Sequence, residues 1–295
     1  MEDTNAASRK YLVLDGCPVG DGMPAFFETH LSHDLADYPD GIVLPLDKPY
    51  RWTSADLVRK CKFTLQKHFG LRKLKVGHAG TLDPLATGLL LVCIGKATKL
   101  AEVLQASEKE YLATVEFGAT TSSFDLEQPI DQYFPYGHIT EEAVRAALPA
   151  FIGPQDQVPP LFSAKIINGL RAYEYARSGE PVELKTNRIE IYSITLEGFT
   201  LHNVMTGDGY TVDPVVRNIH NYHTASTSDG TRPAAVLRIR CSRGTYIRSL
   251  ARDLGLALGS GAYLTALRRI ASGEFRLPSM LSASSPNGTQ KQFPD

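Results

Sequence analysis

The chain has 295 residues, 43% hydrophobic and 21% charged, with a net charge of -1, the profile of a soluble globular protein with one large domain or two small ones. Its longest strongly apolar run, Leu89 to Ile94, is too short to span a bilayer, and the N-terminus lacks the basic start and apolar stretch of a secretory signal. Cys17, Cys61, Cys93 and Cys241 lie far apart with no CxxC pair, which excludes a disulfide framework and a zinc finger and points to a cytoplasmic protein.

Residues 1–41 are poorly patterned and punctuated by Gly, Pro and Asp, and are read as an N-terminal extension. Ile42 to Leu46 reads as a short buried strand, and Ser54 as the N-cap of a helix to about Phe69, with Leu57, Cys61 and Leu65 on one stripe and Gly70 as the stop. Val76 leads into a Gly-rich loop over 77–88, Leu89–Ile94 is a fully buried strand, and Ala97 to Ala106 suits a helix. Tyr111 to Gly118 alternates as a strand does; Thr140 caps a helix to about Phe151; Gln155–Pro160 reads as a loop leading to Phe162–Ile167. A short helix over Arg171–Arg177, strands around Ile189, Ile191 and Leu196 and over 235–241, and a helix from Thr245 to Leu258 follow. The polar stretch 203–233 reads as an insertion, and 278–295 as a flexible tail. Strands and helices interleave without a regular βαβ repeat, so the expected fold class is α+β, a largely antiparallel mixed central sheet flanked by helices.

The near-zero net charge hides a segregation. Residues 1–42 carry eight acids against Arg9 and Lys10, whereas residues 48–75 carry nine bases against Asp56 alone. From Val236 to Arg276 there are eight arginines and no lysine, against Asp253 and Glu274. Local basic segments are what phosphate contacts require, and Arg is preferred where a forked donor is needed; the competing reading is a solvated helix face.

Three apparent motifs carry no chemistry. Gly95-Lys96-Ala97-Thr98 imitates a P-loop, but the pattern needs Gly where Leu90 stands and Ser or Thr where Ala97 stands. The pairs His30/His33 and His220/His223 lie in polar segments with no HExxH and no nearby Cys, and read as chance occurrences, so no metal is expected.

The run Gly77-His78-Ala79-Gly80-Thr81-Leu82-Asp83-Pro84-Leu85-Ala86-Thr87-Gly88-Leu89-Leu90 is different in kind. By itself an Asp before Pro is a turn residue and a lone His is structural. As a whole, the run closely resembles the signature of the TruB family of tRNA pseudouridine synthases. The resemblance continues in order through Gly41–Pro49 with Thr53-Ser54, Gly95–Lys99, Lys109-Glu110-Tyr111, Pro160–Lys165, Tyr173–Arg177, Cys241–Leu250 and Leu267-Arg268-Arg269, covering roughly residues 41–277. It implies a pseudouridine synthase catalytic domain over 42–277 with an RNA-binding cleft. The implied reaction isomerises the uridine at position 55 in the TΨC loop of tRNA, by base flipping and re-formation of the glycosidic bond through C5.

The same resemblance implies the site. Asp83 is the catalytic carboxylate, adding to the sugar or assisting elimination, and no cofactor or metal is required. Arg248 holds its charge; Tyr111 stacks on the extruded uracil; Tyr246 and Leu267 line the pocket; His78 occupies the space the flipped base leaves. Lys48 and the bases of 51–75 grip phosphates, and Asp125, the remnant of an acidic motif within Thr121–Asp125, is a further pocket candidate. The expected partner is the tRNA T-arm stem-loop, with no membrane, no obligatory protein partner and a monomeric state. The 19 residues after Arg276 are too few for the C-terminal RNA-binding PUA domain of many relatives. A guide-RNA-dependent enzyme of the same fold and a non-catalytic RNA-binding protein are the competing readings.

Overall fold

The computed structural model describes residues 11–163, 166–167, 169–178, 182, 184–201, 232–277 and 289–291. Ala164, Lys165, the His220/His223 pair, nearly all of the 203–233 insertion and most of the 278–295 tail lie outside the described residues. The chain divides into two compact units, Met1–Ser107 with Arg269–Asp295, and Glu108–Arg268. It passes from the first to the second between Ser107 and Glu108 and returns inside a single strand.

The first unit is built on strands β1 (Tyr11–Val13), β2 (Ile42–Lys48), β3 (Val76–Ala79) and β4 (Thr87–Ile94), with helices α1 (Met23–His30), α2 (Ser54–His68) and α3 (Ala101–Ala106). β4 is buried along its whole length, as its unbroken apolar run requires of a strand covered on both faces. It pairs antiparallel with both β2 and β3, while β1 and β2 run parallel, so the sheet is mixed. Val43, Ala79, Leu89, Leu91 and Cys93 form its core with Tyr11 and Val13, which places part of the leader in the hydrophobic interior. In α2 the cap is Thr53, one residue before the expected Ser54. Thr53 and Asp56 form a reciprocal capping box, and Leu57, Cys61 and Leu65 are buried as the stripe predicted. The expected helix from Ala97 is instead a 3-10 turn over Gly95–Leu100 followed by the short α3. His78 and Gly77 belong to β3, not to a loop; four residues with two glycines and a histidine offer too little periodicity to announce a strand.

The second unit carries β5 (Lys109–Phe117), the β6 (Ala119–Thr121) and β7 (Ile130–Tyr133) pair, α4 (Glu141–Ala147) and β8 (Gly153–Gln157). The pair β9 (Ile166–Ile167) and β10 (Leu170–Arg171) is followed by α5 (Ala172–Ser178), β11 (Asn187–Leu201), β12 (Pro233–Cys241) and α6 (Ile247–Ala257). Its antiparallel sheet has the order β5-β12-β11-β8. The stretch from Gln155, expected as a loop, starts as part of β8, which among the described strands pairs only with β11; Pro154 fits because an edge strand need not donate on both sides. Thr140 caps α4 as expected, and Pro149 tightens its end into a 3-10 turn over Leu148–Phe151.

β13 (Ala262–Ser272) is the strand that changes unit, between Arg268 and Arg269. The first unit is completed by β14 (Phe275–Arg276), paired with β13, and β15 (Thr289–Lys291), which lies within the expected tail and pairs with β1. The α+β class, with a largely antiparallel mixed sheet, is therefore the observed one. No described helix is long and apolar enough to cross a membrane, and all four cysteines are buried thiols.

Candidate active site

The predicted site residues divide between the units. Asp83, His78 and Lys48 belong to the first; Tyr111, Asp125, Tyr246, Arg248 and Leu267 belong to the second.

In the first unit, Asp83 sits on the loop between β3 and β4, and that loop is tied down residue by residue. Gly80 turns the chain at φ +92°, a left-handed conformation that an L side chain resists. Its carbonyl accepts from Arg269 Nη2 at 2.9 Å, and the Thr81 carbonyl accepts from Nη1 at 3.4 Å. Ser54 Oγ, at the first turn of α2, accepts from the Leu82 amide at 2.9 Å and lies 3.1 Å from the Leu82 carbonyl. Lys48 Nζ reaches the Pro84 carbonyl at 3.2 Å, and the Asp83 carbonyl accepts from the Ala86 amide at 3.1 Å, closing a turn. The half-buried Asp83 side chain thus projects from a backbone anchored on both sides, the preorganisation that a reacting group requires.

Lys48 does not present its charge to solvent. It is fully buried, and its ammonium also donates to the carbonyls of Pro49 at 3.0 Å and Trp52 at 2.5 Å. Burial pulls its pKa down to about 8, opposed chiefly by the Asp83 carboxylate and reinforced by Arg269. A buried ammonium with three carbonyl acceptors holds the loop in shape, in place of the phosphate contact expected of it. His78 is half-buried, its Nδ1 has no hydrogen-bond partner, and burial together with Arg269 lowers its pKa, which favours the neutral imidazole at pH 7.

In the second unit, Arg248 stands in the first turn of α6 and is 3% exposed. Its guanidinium donates to the carbonyls of Ser123 at 3.1 Å and Phe162 at 2.9 Å, and lies 3.4 Å from Asp125 Oδ2. Asp125, itself buried, accepts from Ser123 Oγ at 2.6 Å and the Glu127 amide at 2.9 Å. The acidic remnant and the arginine of the last motif therefore form one buried cluster. Gln157 clamps the entry to α6, accepting from the Tyr246 amide at 2.8 Å and donating to its carbonyl at 3.1 Å. Tyr111 is buried on β5 opposite Ile239, Leu267 is half-buried on β13, and the buried Ser163 Oγ lacks a partner.

Arg269, Ser54 and Gln157 escaped the sequence reading as site-shaping residues. Arg269 stood in a quoted motif without a role, Ser54 was a helix cap, and Gln157 belonged to an expected loop. Their partners lie far away in the chain, so no local pattern announces them.

Comparison with known proteins assigns this arrangement to a family. Residues 66–206 match the TruB family pseudouridylate synthase N-terminal domain, and residues 248–285, beginning at Arg248, match the tRNA pseudouridylate synthase B C-terminal domain. The chain is 45% identical to tRNA pseudouridine synthase B of Phocaeicola vulgatus, over 84% of this chain and 93% of that protein. Against the enzyme of the same name from Thermobifida fusca it is 43% identical, over 80% of this chain and 70% of that protein. Among solved structures, a chain in the crystal structure of a Cbf5-Nop10-Gar1 complex is similar at 26% identity and a TM-score of 0.51. That match covers 91% of this chain but only 59% of the other. With a relative 45% identical over 93% of its length, the chain belongs to the TruB family of tRNA pseudouridine synthases.

Proposed function

We propose that this chain isomerises the uridine at position 55 of the tRNA TΨC loop to pseudouridine, with Asp83 as the catalytic carboxylate. The observation that carries the assignment is the fully anchored backbone from Gly80 to Pro84, which aims one half-buried carboxylate. In the reaction the C1′–N1 bond breaks, the base turns, a C1′–C5 bond forms, and the hydrogen of C5 leaves to solvent as N1 gains one. A carboxylate that adds to the sugar or assists elimination meets that need without a cofactor.

The remaining assignments follow from the chemistry of the groups. Tyr111 offers an aromatic face to the uracil, and such stacking contributes about 1–3 kcal/mol per base, comparable to the cost of extruding one. Tyr246 and Leu267 line the base pocket, and Arg248, oriented by Asp125, supplies the site's cation. The neutral His78, its buried Nδ1 unpartnered, enters the T-loop. Arg59, Lys62, Lys67, Arg72, Lys73 and Lys75, all exposed on or just after α2, take over the phosphate contacts for which Lys48 is too buried. This reading makes the protein a cytoplasmic, monomeric tRNA-modifying enzyme.

The structurally similar chain comes from a complex with other proteins, which favours a second reading, an enzyme dependent on a guide RNA and partners. The 93% coverage of the Phocaeicola vulgatus enzyme, against 59% of that chain, supports the stand-alone form. Tritium release from 5-labelled uridine in a bare T-arm stem-loop decides between them. The pure protein releases tritium, and Asp83→Asn abolishes release while leaving binding of the stem-loop intact. Intact binding with no release by the unaltered protein refutes the proposal.

A further inference from the structure

His33 does not associate with His30, its neighbour in the HxxH pair. His30 turns back onto α1, its ring stacked on Phe26 and its Nδ1 2.8 Å from the Phe26 carbonyl. His33 meets His68, in the last turn of α2, with ring centroids 4.6 Å apart, and both rings face Glu28 of α1.

The hydrogen bonds of the two rings show which nitrogen of each carries a hydrogen. His33 Nδ1 lies 3.0 Å from the His68 carbonyl, and His68 Nε2 lies 3.0 Å from the Ser32 carbonyl. A carbonyl only accepts, so each of those nitrogens carries the hydrogen. In a neutral ring the other nitrogen is then a lone pair. Those nitrogens, His33 Nε2 and His68 Nδ1, point at the two oxygens of one carboxylate, 3.3 Å from Glu28 Oε2 and 3.1 Å from Glu28 Oε1. Two lone pairs and a carboxylate facing one another repel unless positive charge lies among them, either an added proton on each ring or one cation.

The geometry suits the cation. One ligand atom from each of the three residues falls within 4.8 Å of the others. Zinc bonds of about 2.0–2.1 Å to nitrogen and oxygen, arranged tetrahedrally, set neighbouring ligand atoms about 3.3 Å apart, close to the 3.3 Å and 3.1 Å at which the two nitrogens each lie from one oxygen of the carboxylate. The distal nitrogen of each imidazole is already fixed on a carbonyl, the outer contact that orients metal-binding histidines. Two imidazoles and a carboxylate form a nitrogen–oxygen set for Zn2+. The exposure of His33 and Glu28 leaves a fourth position open to water.

We propose that Glu28, His33 and His68 form a Zn2+ site that clips α1 and the segment after it to the end of α2. Glu28 and His33 precede the stretch matched by the family's N-terminal domain, whereas His68 lies within it, so the site joins the leader to the matched domain. The test uses the full chain without an affinity tag, stripped with EDTA and titrated with Zn2+ alone against a chromogenic chelator at pH 7.5. One equivalent should bind, and excess Zn2+ should raise the melting temperature because only the folded chain presents the site. Co2+ in its place should give the visible bands of a tetrahedral ion. His33→Ala and Glu28→Gln, which alter exposed side chains, should each abolish uptake and the thermal shift while the circular dichroism spectrum is unchanged. No uptake by the unaltered chain, which leaves a proton-only cluster, overturns the proposal. So does an equivalent retained in both variants.

Discussion

Arg269 shows how much of the candidate site rests on one side chain that touches no reacting atom. It is 1% exposed, and its guanidinium serves the carbonyls of Leu89 at 2.7 Å, Gly80 at 2.9 Å and Thr81 at 3.4 Å. Two of these acceptors lie within three residues of Asp83. Arg269→Met keeps most of the volume and removes every donor, taking a charged hydrogen bond from the carbonyls of Leu89 and Gly80 in the interior, a loss of about 1–3 kcal/mol each where no water replaces it. Urea denaturation should report that loss. Tritium release should show kcat falling more than KM, because the variant loosens the loop that carries the carboxylate without altering RNA contacts. Arg269→Lys should restore part of the stability and little of the rate, since an ammonium cannot reproduce the forked geometry. An Arg269→Met enzyme with unchanged kcat would remove the positioning role. Asp83 was legible in the sequence only because a long run of residues around it resembled a family. Its anchors were not legible, because hydrogen bonds to Ser54, Lys48 and Arg269 join positions that no local spacing connects.

At the scale of elements, the close approach of β4 to β13 is the feature most exposed to mutation. Gly88, the second residue of β4, has φ +98°, and a Cβ added there would run into the Arg269 backbone carbonyl. Gly88→Ala therefore combines a left-handed backbone with a steric clash. It should lower the melting temperature markedly and release the Arg269 guanidinium from Leu89; a melting temperature equal to that of the unaltered protein would contradict this. Legibility at this scale follows from residue chemistry. β4 could be read because eight consecutive buried positions leave an apolar run, and α2 because its stripe and stop agree. β13 was missed as a strand because Thr265, Arg268 and Arg269 interrupt its apolar residues, and one of those arginines is buried. The leader was underread for a related reason. Tyr11, Val13, Met23 and Phe27 are buried, but Gly, Pro and Asp separate them, so no single window shows a period.

For the whole molecule, the insertion is the simplest part to remove. β11 and β12 are already registered at Leu201↔Pro233, and Arg232 is held by a buried ion pair to Glu116, 2.9 Å away. Replacing residues 204–230 with a short turn should leave the thermal unfolding of the chain nearly unchanged, because loop-closure entropy grows slowly with length. Its position just before the strand leading to Arg248 suggests that the insertion borders the RNA, so the same deletion should weaken binding of the stem-loop; unchanged affinity would sink that idea. The division of the chain also has a consequence for its biosynthesis. The first unit needs Met1–Ser107 and the stretch from Arg269 onward, whereas the second is continuous. On a ribosome the second unit has its full sequence while the first still lacks β13's last residues, β14 and β15. The loop bearing Asp83 is translated early, but its Arg269 anchor emerges 186 residues later, so the nascent chain passes through most of its synthesis with that loop incomplete.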